Sequence, residues 1–235
     1  MIVIGMDGSK NGTGVVAAKV NDKFEIVKID CISFTQIKKL ETEKIKFHHI
    51  TKSFNDDQSK ICWVRDEVTQ FINDFIGTDD SDCYTAIEDY AHNTVGRQFD
   101  KGEICGMLKI VAYDTFRSKL RKYSPKTIKK YAGHGDYDKV AMCEAYLEGE
   151  KELTLPDDLK DLVKVNDVVD AYWICKLLIR ELQLKSGQIT KEDLCLREQE
   201  LFAVKSKDET KNYTTKRFEE WHTNLVSIDP KTKKK

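Results

Sequence analysis

The succession of elements along the chain predicts an α/β fold: a mixed five-stranded sheet flanked by helices, with a C-terminal extension. Two observations carry this. Three short strand-like runs joined by tight turns open the chain, and strands then alternate with apolar-striped segments in the order βββ-α-β-α-β-α-α.

Residues 2–9, IVIGMDGS, read as the first strand, ending on an acid and a glycine. Residues 12–20 and 23–34 read as the second and third, entered through a glycine turn and an NDK turn, which makes an antiparallel meander. Residues 35–60 are polar and mixed; they read as an insertion with a short helix near 36–46. Over 61–77, Ile61, Val64, Val68, Phe71, Ile72 and Phe75 recur at helical spacing, and Gly77 supplies the left-handed stop. Residues 83–90 read as a strand, 102–120 as a long helix and 126–133 as a short strand running into a loop. Helices follow over 138–147 and 167–184, and KEDLCLREQELFAV reads as one more. The domain expectation is therefore 1–184 for the main α/β body, with the insertion at about 35–60, and 185–235 for a helical and basic extension.

Composition narrows the class. The chain has 235 residues with a formal net charge of −1, so it is not a DNA-coating basic protein; no apolar run reaches bilayer length, and the opening residues lack a secretory pattern. Seven cysteines with no CxxC pair argue against a disulfide framework or zinc ribbon and for an intracellular setting. Basic residues concentrate locally. Between Lys109 and Lys139 stand nine Lys/Arg and three Asp, as a DNA-facing stripe requires, a solvated helix face being the plainer account. The terminal KTKKK reads either as further salt-sensitive DNA attraction or as a solvated tail.

Four acids stand where apolar runs end. Asp7 closes the first strand, Glu88 closes another, and Asp167 and Asp170 open an apolar helix three residues apart, on one face. Asp89 is the contrast, pointed by alternation to the opposite face from Glu88. Each acid has a structural reading as a turn former, helix cap or exposed strand end. Three separate segments ending this way favour a shared site, because buried carboxylates are costly unless paired or bound to metal. Hard oxygen ligands suit Mg²⁺, with Mn²⁺ substituting. Two such ions about 4 Å apart could hold the attacking and leaving oxygens of a substrate in line, one of them activating a water. Asp7 is the candidate bridging ligand.

In this ordered set the chain resembles the RuvC-type Holliday-junction resolvases of the ribonuclease-H-like superfamily. The resemblance rests on Asp7-Gly8-Ser9 with Thr13-Gly14, on Glu88, and on Asp167-Val-Val-Asp170, with a lysine-rich segment and glycine loop between them. It covers about residues 1–183. It implies a metal-dependent endonuclease that resolves four-way junctions by paired cuts leaving 5′-phosphate and 3′-hydroxyl ends. Asp7, Glu88, Asp167 and Asp170 are the implied catalytic and metal-binding residues; Lys126, Lys129, Lys130, Gly133, Gly135 and Lys139 are the implied DNA contacts. It also implies a homodimer through the helix at 102–120; apolar surface and close approach make Cys105, Gly106, Met107, Ala112 and Phe116 the candidate contact residues, the alternative being a helix buried all round within one subunit. Branched DNA is the partner, with no membrane and no nucleotide cofactor. Where the family carries a stacking aromatic three residues after the strand Glu, this chain has Ala91; Tyr90 or Phe99 is the alternative candidate, and the sequence does not assign the role to either. The additions at 35–60 and beyond 185 suggest a divergent relative, a viral source being one candidate; the setting is then host cytoplasm, nucleus or viral factory. His134 reads either as a phosphate or water contact or as a bystander. The competing functions are a nuclease for RNA–DNA hybrids or other branched DNA, and a non-catalytic junction binder. An actin-like ATP-binding fold shares the opening meander but needs two duplicated halves.

Overall fold

The opening meander forms because apolar residues alternate across strands that turn at short polar breaks. In the computed structural model, which describes residues 1–9, 12–35, 45–49, 54–89, 98–115, 119–149 and 152–202, these strands are β1 (Ile2–Asp7), β2 (Gly12–Val20) and β3 (Ile26–Thr35), paired antiparallel. Strand β4 (Ile45–His49) adds to β3 in parallel. Helix α1 (Asp57–Ile76) follows, then β5 (Cys83–Glu88), which pairs in parallel with β1. Helix α2 (Gln98–Ile110) passes through a π-helical turn, Val111–Thr115, before β6 (Lys119–Tyr123) joins β5 in parallel. The sheet order is β4-β3-β2-β1-β5-β6, so the expected mixed sheet has five strands with β4 as a further edge strand.

Helices α3 (Pro125–Ala132), α4 (Lys139–Glu148), the single turn α5 (Leu159–Leu162) and α6 (Asn166–Ser186) come next. A short α7 (Leu196–Leu201) follows a single 3₁₀ turn at Lys191–Asp193. The chain divides into two compact units, Met1–Leu178 and Ile179–Lys235. Within the second, Arg180 pairs with Glu198 at 2.7 Å.

Side-chain alternation assigns the two faces of the sheet. Ile2, Ile4 and Met6 of β1, Val15 and Ala17 of β2, Ile32 and Phe34 of β3 and Ile87 of β5 join one core with α1 and α2. In α1 the buried Val64, Val68, Phe71, Ile72 and Phe75 follow the predicted stripe. Asp56 caps its first turn by accepting from the Ser59 amide, and Gly77 ends it at φ 58°. The opposite face receives α6. It approaches over glycine: a Cβ on Gly5 would lie 2.2 Å from the Ala171 carbonyl oxygen, and one on Gly14 2.2 Å from that of Asp167. No side chain fits there, so the helix backbone rests on the strand backbones.

Two expected elements are corrected. Residues 126–133 are not a strand; they form α3. Ser124 caps it by accepting from the Thr127 amide, Pro125 takes the first turn, and Ile128 and Ala132 bury one turn apart. The helix expected over 102–120 ends by Thr115, and 119–123 form β6 instead, held by backbone pairing to β5. The helix expected near 36–46 lies mostly outside the described residues, and its last two positions belong to β4. The tail at 205–235 is also outside them.

Replacing Gly14 by alanine is expected to destabilise the protein by roughly 1–3 kcal/mol or more, because the new Cβ must push α6 off the sheet. Gly106→Ala is the contrast, with nothing within 4 Å of its Cβ position; it should be neutral or gain up to about 1 kcal/mol. Denaturant unfolding of both variants reads the difference.

Candidate active site

The strand registers set out one row of residues at the end of the sheet. Asp7 of β1 pairs with Gly14 of β2, and Gly14 pairs with Ser33 of β3. On the other side, Met6 pairs with Ile87 of β5, which brings the next residues, Asp7 and Glu88, side by side. Alternation turns all four toward α6, opposite the apolar Met6, Val15, Ile32 and Ile87. The first turn of α6 sits over Gly14, in the middle of the row. Asp167 therefore reaches to one side, where the Ser33 hydroxyl donates to its Oδ2 at 2.9 Å. Asp170 falls to the other side, within electrostatic reach of Glu88 and Asp7.

These acids are held against their solvation preference. Burial, then the charges of Glu88 and Asp170, raise Asp7 well above the usual carboxylate range, and a hydrogen bond between the Asp7 and Glu88 side chains adds to this. Asp170 is pushed up to about 7, first by burial and then by Glu88, with a hydrogen bond from Asn166 working the other way. Asp167 rises to about 6 through burial, offset in part by Ser33. Crowded carboxylates of this kind form a sink for positive charge.

One positive charge is already present. The Lys101 ammonium, from the first turn of α2, lies 3.0 Å from Glu88 Oε1. Burial opposes its charge, but Glu88 and Asp7 outweigh that and raise its pKa. Lys101 carries no local sequence signal, standing thirteen residues after Glu88 in a different element. Ser33 was legible in principle, as a hydroxyl on the same side of β3 as Cys31 and Thr35.

As placed, no three His, Cys, Asp or Glu side chains among the described residues stand in ligand geometry. Glu88 is turned onto Lys101 and Asp167 onto Ser33. The donor set nonetheless fits a hard divalent cation in chemistry: all oxygen, anionic, mutually repelling, and with an ammonium as stand-in cation.

The other predicted residues scatter by role. Lys126, Lys129 and Lys130 lie on α3, with Lys126 exposed. Lys139 opens α4, its ammonium 3.2 Å from Asn166 Oδ1, where its charge is felt by Asp167 and Asp170. Trp173 holds α4 beside α6, its indole donating to the Met142 carbonyl at 3.3 Å. Gly133 serves the chain itself: its amide donates to the Lys129 carbonyl, and the Tyr137 ring fills the space a Cβ would need. Gly135 packs against the Lys126 stem. His134 is exposed beside Asp136. Asp89 turns away from the acids, as expected, and pairs with Lys122 at 3.4 Å.

Of the residues expected at a dimer contact, three pack within the chain itself. Cys105, Met107 and Ala112 are buried in the chain's own core, and Cys105 donates to the Gly8 carbonyl. Their apolar character is spent on α1 and the sheet. Gly106 is open, and the large apolar residues exposed on this segment are Ile110 (60%) and Tyr113 (39%). Tyr90, Ala91 and Phe116 lie outside the described residues, as does the side chain of Phe99.

No protein-family model matches the chain, and no curated protein sequence does. Solved structures similar in arrangement include Thermus thermophilus RuvC, at 19% identity and a TM-score of 0.44, covering 76% of this chain and 98% of that one. T. thermophilus RuvC in complex with a Holliday junction substrate aligns at 15% and 0.48, covering 80% and 97%. The yeast mitochondrial Holliday junction resolvase Ydc2 aligns at 13% and 0.41, covering 79% and 85%. Among the described residues, no helix is long and apolar enough to cross a membrane.

The raised acids fix a pH dependence. Asp167 and Asp170 bind protons more tightly folded than unfolded, where a carboxyl titrates near roughly 4. Their contribution to stability is present below that value and lost as pH rises through about 6 and about 7. Asp170→Asn should therefore raise the melting temperature of the metal-free protein at pH 8, by about 2–4 °C per kcal/mol relieved, and change it little at pH 4.5. Thermal melts at both pH values check this.

Proposed function

We propose that this chain is a divalent-cation-dependent DNA endonuclease acting on branched DNA, with the four-way junction as its preferred substrate. The observation that supports it is the row of acids at one sheet end: buried Asp7 converges with half-buried Glu88 and Asp170, and burial and mutual repulsion raise Asp7 and Asp170. A fold gains nothing from such a cluster unless a cation uses it. Mg²⁺, or Mn²⁺ in its place, would be held in this row by Asp7 and Asp170, with Glu88 beside them, and would supply activation of water and neutralisation of the leaving oxygen.

The chain's own residues do the rest. Ser33 holds the Asp167 carboxylate in one orientation, so that this acid braces the first turn of α6 behind Asp170. Asn166 engages both Asp170 and Lys139, tying the acid site to the basic surface. Lys126, Lys129, Lys130 and Lys139 then address phosphates flanking the scissile one. Such contacts give affinity without reading sequence.

Resolving a junction takes two cuts, and one chain carries one acid row. A second copy of the chain across Gly106, Ile110 and Tyr113 would supply the other with matching two-fold symmetry.

Two experiments test this reading. With Mg²⁺ and labelled four-way junction, flap, duplex and RNA–DNA hybrid side by side, the junction should be cut fastest, and Asp7→Asn should lose cleavage by at least about a hundredfold while still binding. Preferential cutting of the hybrid would assign the site to RNA–DNA hybrids instead, and binding without any cleavage would leave a junction binder. In sedimentation at micromolar concentration the wild type should be a dimer, alone or on junction DNA, and Ile110→Glu a folded monomer that nicks without paired cuts. A wild-type monomer in both settings overturns the dimer.

A further inference from the structure

The position of Lys101 bears on how many cations the site takes, on the reading that the acid row holds divalent metal. Its backbone is fixed by contacts that have nothing to do with charge. A Cβ on Gly8 would meet Ile104, Cys105 and Leu108 at 3.0–3.2 Å, so α2 lies tight against the end of β1. Cys105 donates its thiol to the Gly8 carbonyl at 3.6 Å. Lys101 is one helical turn before Cys105 and so shares the face that meets β1. From there its ammonium reaches Glu88 Oε1 at 3.0 Å, with the Lys101 and Glu88 side chains 31% and 14% exposed. At the other end of the row, Lys139 is engaged by Asn166 rather than by a carboxylate. Among the described residues the acid row is thus asymmetric: the Lys101 ammonium touches Glu88, whereas Lys139 acts on Asp170 only at a distance.

We propose that Lys101 is a resident cation of the site, its ammonium filling the position at Glu88 so that each chain binds one divalent ion, held by Asp7 and Asp170, rather than two. Charge balance agrees. Ionised Asp7, Glu88 and Asp170 carry three negative charges, and one divalent ion with one ammonium carries three positive. Asp167 stands outside this balance, engaged by Ser33. A second divalent ion at Glu88 would have to displace an ammonium already seated against that carboxylate, at a cost that grows with burial. In a phosphodiester complex the ammonium would face a phosphate oxygen from the Glu88 side, where a second metal would otherwise stand.

The test is Mn²⁺ binding to the full chain without DNA, read by electron paramagnetic resonance and calorimetry. The wild type should bind one ion per chain. Lys101→Met and Lys101→Gln should bind two, or bind a second at least about tenfold more tightly than the wild type does. Lys101→Arg should behave as wild type, and Glu88→Gln added to Lys101→Met should remove the second ion. Circular dichroism confirms that each variant is folded. Two ions on the wild type with unchanged affinity in Lys101→Met overturns the role of Lys101 and leaves the metal-dependent reading standing. No Mn²⁺ bound by the wild type or by either neutral variant overturns that reading, and the Lys101 proposal with it. The result does not depend on which nucleic acid is cut.

Discussion

The backbone contact between α6 and the glycines of β1 and β2 is the constraint on which the rest depends. Gly5 and Gly14 leave no room for even a methyl group beneath Ala171 and Asp167. A helix seated at that distance has its first turn fixed in rotation as well as height. Rotation is what matters for the acids, because Asp167 and Asp170 are three residues apart and straddle the contact. One is delivered to Ser33 and the other to Asp7 and Glu88. Any side chain at Gly14 would lift the helix and open the row.

Electrostatics then follows from geometry. Strand pairing places Asp7 beside Glu88 whatever their charges, and α6 adds Asp170 from above. The fold carries this unfavourable arrangement because the large apolar core on the other face, from Ile4 and Met6 to Phe71 and Leu108, stabilises the same strands independently. Positive charge is supplied from two directions, Lys101 on α2 and Lys139 on α4. The two lysines differ in kind. Lys101 touches a carboxylate, whereas Lys139 touches an amide and faces outward with the α3 lysines.

The apolar residues of α2 are used within the chain. Ile104, Cys105, Leu108, Val111 and Ala112 wrap more than one stripe, and all are buried within the chain. A helix that is apolar on two sides has two intramolecular neighbours here, the sheet end at Gly8 and α1. The exposed part of this segment is narrower and lies at Gly106, Ile110 and Tyr113.

The sequence by itself determined whatever is encoded by short-range periodicity. The meander, α1 with its stop at Gly77, β5 and the long α6 are legible because their apolar residues repeat with the period of the element that buries them. The four acids were legible as exceptions to that pattern. Only the tertiary structure decided β6, whose KLRKY has no strand-like pattern and is held by pairing to β5, and α3, where the Ser124 cap and Pro125 start a helix over residues expected to be a strand. It alone also decided the partners of the acids. Ser33 and Lys101 lie 134 and 13 residues from the carboxylates they contact, and nothing local marks them. Periodicity reports which face a residue shares with its neighbours in sequence; which groups meet across the sheet end is set by strand register and by how closely α6 can sit on glycine.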